Sequence, residues 1–222
     1  MCGRFTLTEG LQQLQTKFEF ECSEELIPHY NIAPSQQILT LTSDGSKRTG
    51  QLMKWGLVPY WAKDIKIGYK MINARAEGID AKASFKMPFR RKRCLILADG
   101  FYEWKKTEGG KQPFRFIMND KETFAFAGLW DTWTQDGSPL YSCTIITTDS
   151  NSVTEDVHDR MPVILPADVY TDWLNPGLQD TEYLKSLLVP YPAEKMDKYP
   201  VSQLVNSPKN NSAELLAPLN SI

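Results

Sequence analysis

The chain has 222 residues and a mass of 25.3 kDa, which is enough for one large domain or two small ones with a substantial core. Its apolar content of 41% and formal net charge of −2 exclude a binder whose whole surface is basic, but leave a local basic face open. No apolar run is long enough to span a bilayer, and the first residues lack a signal-peptide pattern, so we expect a cytoplasmic protein.

Short predicted strands alternate with a few helices along the chain. Arg4 to Leu7 alternates as a strand, and Leu11, Leu14 and Phe18 then recur at helical spacing after a candidate Thr8 cap. Further strands are predicted over residues 38–42, 51–57, 94–98, 101–106, 114–118, 123–130 and 141–147, and helices over 152–158, 167–174 and 180–188. Such a meander favours antiparallel pairing, and a single α+β domain over residues 1–222 is the simplest interpretation.

The number and spacing of the cysteines and histidines limit which metal or disulfide sites the chain could form. The four cysteines are widely spaced and form no C-x-x-C pair, and there are only two histidines. This pattern suits neither a zinc site nor a disulfide framework. We therefore expect no metal and no cofactor.

Cys2 is the most informative residue of the sequence. If Met1 is removed, the chain begins with a residue that carries an α-amine and a thiol on adjacent carbons, and an α-amine with a pKa near ~8 is partly neutral at neutral pH. Such a 1,2-aminothiol condenses with an aldehyde to an imine, which the sulfur closes to a thiazolidine. It equally suits an N-terminal nucleophile that attacks an amide. An accidental second-position cysteine is the third interpretation.

The segment 72–77 places polar side chains on one side of a predicted strand. If it is extended, Asn73, Arg75 and Glu77 point one way and two alanines point the other. This arrangement suits the floor of a site, and a solvent-facing edge strand is the alternative.

Glu103 and His158 are the candidate acid–base residues. Glu103 follows an apolar strand, where desolvation would raise the pKa of its carboxyl group, although a structural ion pair with an arginine is the alternative. His158 is predicted at the end of a short helix that Pro162 stops, and the helix dipole there would favour the protonated imidazole. A structural histidine is the alternative.

A basic segment spans Lys82 to Arg93 and contains six basic residues and no acid, with Phe85, Met87 and Phe89 interleaved. On an otherwise acidic protein it predicts a phosphate-facing patch, which Arg4, Arg75 and Arg160 could extend. Most of the tryptophans are expected in the core, and one or two on a ligand.

Together these segments resemble the SRAP (SOS-response-associated peptidase) family, whose members cross-link to abasic sites in single-stranded DNA. The resemblance covers nearly the whole chain and depends on the order of MCGRF (1–5), YNIAP (30–34), WGLVP (55–59), INARAE (72–77), DGFYEW (99–104), HDRMP (158–162) and PVS (200–202). It implies an α+β fold with a central twisted, largely antiparallel, barrel-like β-structure, flanking short helices and a positively charged DNA groove.

The resemblance also implies roles for individual residues. Cys2 would form the thiazolidine, Asn73 would orient it, and Glu103 and His158 would transfer protons. The implied DNA-binding residues are Arg4, Arg75, Arg160, Trp61, Trp104, Lys86 and Arg90. The implied protein is a monomer that shields abasic sites, is nucleoid-associated when bound to DNA, has weak lyase activity and removes its own Met1.

Two other classes of protein remain open from the sequence alone. One is an amidohydrolase or peptidase of the N-terminal-nucleophile type, although the chain shows no second catalytic domain to receive ammonia. The other is a non-covalent single-strand-binding module, whose salt-sensitive binding would be indifferent to Cys2 and to abasic sites.

Overall fold

The computed structural model describes residues 2–135 and 137–219, and its regular structure is mostly β. The strands are β1 (Phe5–Leu7), β2 (Phe20–Glu21), β3 (His29–Ile32), β4 (Gln37–Ser43), β5 (Arg48–Trp55), β6 (Asn73–Arg75), β7 (Arg93–Ala98), β8 (Gly100–Thr107), β9 (Gly110–Met118), β10 (Phe124–Gln135), β11 (Ser138–Asp149), β12 (Arg160–Pro162), β13 (Ile164–Leu165) and β14 (Met196–Pro200). The α-helices are α1 (Leu11–Phe18), α2 (Lys86–Arg91), α3 (Tyr170–Leu174) and α4 (Thr181–Ser186). Short 3₁₀ helices lie at Ile65–Lys70, Ala167–Val169, Ala193–Lys195, Gln203–Asn206 and Ala213–Leu216.

Five strands close into a barrel in the order β11, β10, β7, β4, β5 and back to β11. Every pairing in this ring is antiparallel except that of β5 with β11. Closure removes the unpaired edges of the sheet, and every residue of β7 is buried. The predicted α+β fold with a largely antiparallel, barrel-like centre is confirmed.

A second sheet, in the order β14, β9, β8, β1, β3, packs against the barrel through aromatic side chains. The ring of Phe5 lies 5.2 Å from that of Trp55 and 5.8 Å from that of Phe126. Phe101 adds a ring contact with Phe126 at 6.1 Å. These residues belong to one continuous buried cluster, so the two sheets share a core.

Asp99 holds the N-terminal strand at the corner where the chain passes from β7 to β8. Its carboxylate accepts hydrogen bonds from the Thr6 hydroxyl and from the backbone N–H and hydroxyl of Thr8, the latter two at 2.6 Å. Arg115 Nη2 lies 3.2 Å from the same carboxylate. This network fixes β1 alongside β8 and thereby directs the residues before β1 along the same strand.

The loop that leads into β6 depends on two glycines in close contact. Gly56 has φ of +125°, and a Cβ there would lie 2.6 Å from the carbonyl oxygen of Gly68, while a Cβ on Gly68 would lie 2.7 Å from that of Gly56. Trp55 Nε1 donates to the Ile72 carbonyl at 2.9 Å. The loop is therefore folded back on the barrel, and Asn73 begins β6 at a defined register beside Ile145.

Two of the predicted local features are wrong. Thr8 does not cap α1, which begins after Gly10, because the Thr8 side chain is bound to Asp99. Residues 152–157 form turns rather than a helix. The Asn151 side chain accepts the backbone N–H groups of Val153 and Thr154 at 3.0 and 3.1 Å, as a helix cap does, but the turns end before His158 without forming a regular helix.

The other two predicted helices are confirmed in shortened form. Residues 167–174 form a 3₁₀ turn followed by α3, and α4 begins after Asp180, whose side chain accepts the Tyr183 N–H at 3.1 Å. Among the described residues, no helix is long and apolar enough to cross a membrane.

Candidate functional site

The segment before β1 continues along β8 and places Cys2 beside Glu103. The Tyr102 N–H donates to the Arg4 carbonyl at 2.9 Å, one residue beyond the last paired residue of β1. Cys2 is fully buried, and burial raises the pKa of its thiol, with a further increase from the charge of Glu103. A hydrogen bond from the Arg4 backbone N–H acts in the opposite direction. Burial dominates, so the thiol is protonated at rest.

Asn73 is the residue that holds the backbone of Cys2. Its Nδ2 donates to the Cys2 carbonyl oxygen at 2.9 Å, across 71 positions of sequence. Its Oδ1 is buried and has no hydrogen-bond partner among the described residues. An acceptor that is desolvated and unsatisfied is costly in a folded protein, and it is available to a donor that arrives next to Cys2.

Glu103 has the environment of a general acid–base. Its side chain lies on the buried half of β8 and is 4% exposed. Burial raises the pKa of its carboxyl group to about 7. Near neutral pH the group therefore exists in both protonation states, which is the condition for giving and taking protons in one reaction.

His158 lies in the same cavity as Glu103, but the dipole interpretation of its charge is wrong. There is no helix before it, and burial lowers the pKa of its imidazole. Its Nδ1 accepts the Arg160 backbone N–H at 3.0 Å, which places the proton of the neutral ring on Nε2. Asp159 Oδ1 lies 2.9 Å from the same Nδ1. In the neutral ring this nitrogen is an acceptor, so the contact becomes an ion pair only on protonation.

Glu103 and His158 line an open cavity of about 620 Å³, together with three lysines and two aspartates. Its lining comes from the β8–β9 hairpin and the turn before β12: Glu103, Trp104, Lys105, Lys106, Lys111, Asp156, Val157, His158 and Asp159. Lys106 and Lys111 are directly opposite each other in the β8–β9 ladder, a like-charge pair that costs free energy. An anion at the rim would relieve that repulsion. Sequence reasoning missed these lysines, although they flank the hairpin turn.

Arg4 and Trp104 form one unit at the mouth of the cavity. The Arg4 guanidinium lies 5.7 Å from the centre of the Trp104 ring. Arg4 Nη1 donates to Asn31 Oδ1 at 2.8 Å and to the Val205 carbonyl at 2.7 Å. Sequence reasoning did not assign these two partners to the site, because they are distant in the chain.

Arg160 is engaged by protein groups. Its side chain is 8% exposed and pairs with Glu77 at 2.8 Å and with Asp149 at 2.9 Å, and its Nη2 also donates to the Thr147 carbonyl. This arrangement fixes the turn that carries His158. As a phosphate contact, Arg160 stays a prediction that would require these ion pairs to open. Arg75 is exposed on β6, where a phosphate can reach it.

The remaining DNA-binding candidates lie on a second surface. Lys86 and Arg90 are exposed on α2, and Trp61 is 46% exposed in the loop before β6. A cavity of about 220 Å³ brings that loop and α2 together, with Tyr60 on one side and Met87 on the other. None of these residues lines the cavity of Glu103 and His158.

Arg93 does not belong to the basic patch that the sequence predicts. It is 3% exposed and donates to the carbonyls of Phe89, Trp173 and Asn175, at 2.5 to 2.7 Å. It therefore ties the C-terminal end of α2 to α3. Burial lowers the pKa of its guanidinium to about 10. In the sequence, the burial of Arg93 is indicated by its position directly before the apolar strand predicted over residues 94–98.

Within residues 2–135 and 137–219, no group of three or more His, Cys, Asp or Glu side chains could hold a metal ion. The four cysteines are free. The candidate residues of the site offer a thiol at Cys2, an amide at Asn73, a carboxyl group at Glu103 and an imidazole at His158.

Comparisons with known proteins agree with this fold. The sequence model of the SOS response associated peptidase (SRAP) family matches residues 1–208. The chain is 53% identical over 221 residues to the abasic site processing protein YoqW of Bacillus subtilis (strain 168), covering 97% of this chain and 99% of that protein. It is 34% identical over 227 residues to the abasic site processing protein HMCES of Xenopus tropicalis, covering 88% of this chain and 67% of that protein. A crystal structure of a Bacteroides thetaiotaomicron protein matches with a TM-score of 0.89 and 28% identity, over 99% of this chain and 100% of that one.

Proposed function

The chain belongs to the SOS response associated peptidase (SRAP) family, and from this premise we propose that it captures abasic sites in single-stranded DNA as a covalent adduct of Cys2. One observation carries the proposal: Asn73 Nδ2 holds the Cys2 carbonyl at 2.9 Å while Glu103, with a pKa near 7, acts electrostatically on the same residue. The names of the relatives supply the substrate class. Removal of Met1 exposes the amine that the reaction needs.

The first step is attack of the neutral Cys2 amine on the aldehyde at C1′ of the ring-opened sugar. The resulting carbinolamine loses its hydroxyl group as water when neutral Glu103 donates a proton, which leaves an iminium ion and the Glu103 carboxylate. The raised pKa of Glu103 keeps a large protonated fraction available at neutral pH for this donation. Asn73 Oδ1 is placed to accept a hydrogen bond from the amine or from a sugar hydroxyl.

The second step is closure of the thiazolidine ring. The Glu103 carboxylate takes the proton of the Cys2 thiol, and the thiolate adds to C1′ while the C=N electron pair moves to nitrogen. Glu103 returns to its acid form, so the net reaction releases one water. Because burial disfavours the free thiolate, we expect the Cys2 thiol to lose its proton as the ring closes, and not to rest as a thiolate before the reaction.

The rest of the site supplies orientation and charge. The neutral His158 ring faces the cavity of Glu103 and is suited to a hydrogen bond with the sugar or its phosphate. Arg75 is the exposed phosphate contact that we assign near Cys2, and Arg4 would contact a phosphate through Nη2, because its Nη1 is bound to Asn31 and Val205. Trp104 is the stacking surface at the cavity mouth. Lys86, Arg90 and Trp61 would contact the strand farther from the lesion.

A Cys2→Ala variant distinguishes the role of the N-terminal amine from that of the thiol, because it keeps the amine and removes the sulfur. Once Met1 is removed, alanine still forms the imine, which acidifies the C2′ protons and allows elimination of the 3′ phosphate. Without sulfur no thiazolidine closes, so we expect slow strand cleavage and no heat-stable adduct. The measurement is denaturing gel electrophoresis with intact mass, on single-stranded DNA that carries one abasic site.

The control strand is undamaged, and the expected wild-type product has the mass of the Met1-less protein plus DNA minus one water. No adduct from wild-type protein with a confirmed free Cys2 amine would overturn the proposal. A heat-stable adduct from Cys2→Ala at the wild-type level would overturn the thiazolidine. Glutamine hydrolysis by the same samples would instead favour an amidohydrolase.

A further inference from the structure

Residues 201–219, here called the C-terminal strap, are packed onto the outer side of the second sheet. Val201, Val205 and Leu215 are fully buried and form a small core with the ring of Tyr102 on β8. The Tyr102 hydroxyl donates to the Tyr30 carbonyl at 3.0 Å. The strap is therefore held next to the two β8 residues that follow Tyr102, which are Glu103 and Trp104.

The strap also makes polar contacts with the mouth of the cavity. Trp104 Nε1 donates to Asn206 Oδ1 at 2.6 Å, across 102 positions of sequence. Arg4, whose guanidinium lies over the Trp104 ring, donates to the neighbouring Val205 carbonyl at 2.7 Å. One turn of the strap thus holds both the ring and the cation that covers it.

Asn206 is itself placed by a defined local structure. It ends the 3₁₀ helix Gln203–Asn206, at whose start the Ser202 hydroxyl accepts the Leu204 N–H at 3.2 Å. The buried Asn31 side chain donates to the carbonyls of Ser207 and Asn210 at 3.0 and 2.9 Å. The position of Asn206 is therefore set by the fold and not by its own exposed side chain.

We propose that Asn206 is a positioning residue that sets the plane of the Trp104 ring at the mouth of the Glu103 cavity. This inference rests on the proposed function, in which that ring stacks beside the lesion. Trp104 is partly buried against the core of the strap and lies under the Arg4 guanidinium, and the indole N–H is the only polar atom of its side chain. The hydrogen bond from that N–H to Asn206 selects one orientation of the ring within this packing before DNA binds.

The expected consequence is a slower reaction at saturating DNA. Loss of one hydrogen bond of ordinary net strength corresponds to about a 3- to 10-fold decrease in the rate of adduct formation. Capture of acetaldehyde by Cys2 should be unchanged, because a small aldehyde needs no stacking surface. This contrast distinguishes a positioning role from a loss of folding.

The experiment compares Asn206→Leu, which removes the acceptor at similar size, with Asn206→Asp, which keeps an acceptor oxygen. Trp104→Phe removes the donor and keeps a ring, and the double variant Trp104→Phe/Asn206→Leu closes a double-mutant cycle. Gln203→Leu is the matched control, since it also replaces an exposed amide side chain with leucine on the same 3₁₀ helix.

We expect Asn206→Leu to be slow, Asn206→Asp to regain most of the wild-type rate, and the leucine substitution to add nothing in the Trp104→Phe background. The inference is overturned if Asn206→Leu reacts at the wild-type rate, or if its effect is the same in both backgrounds. It is also overturned if Asn206→Leu slows acetaldehyde capture equally.

A second measurement does not depend on adduct formation. The indole N–H resonance of Trp104 is identified as the one that disappears in Trp104→Phe, and its exchange with solvent is expected to be slow in wild type and fast in Asn206→Leu. Equal exchange in both proteins would overturn the hydrogen bond. If wild type forms no adduct but this difference is present, the proposed function fails while the placement of Trp104 by Asn206 stands.

Discussion

At the scale of single residues, burial decides the chemistry of the site. The same desolvation that raises the pKa of the Cys2 thiol also raises that of the Glu103 carboxyl group, and it lowers that of the His158 imidazole. Each group is thereby neutral, or close to it, near neutral pH. A site of neutral proton donors and acceptors suits a reaction in which one water is lost and two protons are moved.

Glu103→Gln tests the assignment of the acid–base. We expect adduct formation to slow by roughly 10²–10⁴, because the amide can neither protonate the leaving hydroxyl nor accept the thiol proton. Rates are measured from quenched time courses at saturating DNA. The control is Glu108→Gln, an exposed residue in the β8–β9 turn. An unchanged time course for Glu103→Gln would remove Glu103 from the mechanism.

The same variant tests the pKa through stability. The folded carboxyl group, with a pKa of about 7 against an ordinary value of 4.5, binds its proton more tightly than the unfolded one. Wild-type stability should therefore fall as pH rises through this window and level off above it. Above about pH 7, Glu103→Gln should gain up to about 3 kcal/mol relative to wild type, with the gain vanishing near about pH 4. Urea unfolding across this range measures it, and a pH-independent difference would contradict the raised pKa.

At the scale of elements, the N-terminal strand matters because three residues of β1 must hold Cys2 in place. Because β1 is short, its backbone pairing is supplemented by the contacts of Asp99 with Thr6, Thr8 and Arg115. The glycine contact of Gly56 and Gly68 plays the same part for β6, which is also three residues long and carries Asn73. Short strands are placed here by tertiary contacts rather than by their own pairing.

Asp99→Ala should destabilise the protein by about 3–5 kcal/mol, because it leaves the nearly buried Arg115 without its ion pair. Urea unfolding measures the loss. The matched control is Glu25→Ala, an exposed carboxylate. Adding Arg115→Met to Asp99→Ala should recover part of the stability, since no unpaired charge then remains. A loss below about 1 kcal/mol for Asp99→Ala would contradict this role, since that is the ordinary value of an exposed pair.

At the scale of the whole molecule, a net charge of −2 is compatible with DNA binding where basic residues are concentrated locally. Exposed basic residues gather on α2, and Lys106 and Lys111 face each other at the cavity, where Lys105 is paired with Asp156. The salt dependence of binding should therefore come from a few local charges.

Lys86→Glu/Arg90→Glu should weaken binding to single-stranded DNA and reduce the slope of log affinity against log salt by about 1.4, since each phosphate contact contributes about 0.7. The adduct rate at saturating DNA should be unchanged. Fluorescence anisotropy over a salt series, with Cys2→Ala protein to prevent cross-linking, measures it. Lys17→Glu/Lys47→Glu makes the same change in net charge outside both surfaces. Equal effects of the two double variants would show that only total charge matters.

Much of this protein is determined by its sequence alone. Hydrophobic alternation locates the long strands β4, β5 and β7–β11, because period-two patterns are local. The types of residue that could capture an aldehyde are also visible in the sequence, since a 1,2-aminothiol needs no partner to be recognised. Local patterns fail where a distant residue engages a side chain, as at Thr8, which binds Asp99 instead of capping a helix.

Only the tertiary structure decides which of these residues meet. Cys2 and Glu103 are 101 positions apart, and Trp104 and Asn206 are 102 apart, so their contacts depend on strand order and on the path of the strap. Burial is likewise a property of the packed core: it converts Arg93 from a phosphate candidate into a link between α2 and α3, and it moves the pKa of Glu103 to about 7. The physical reason is that desolvation and long-range contact are set by the whole fold, whereas a sequence pattern reports only neighbours along the chain.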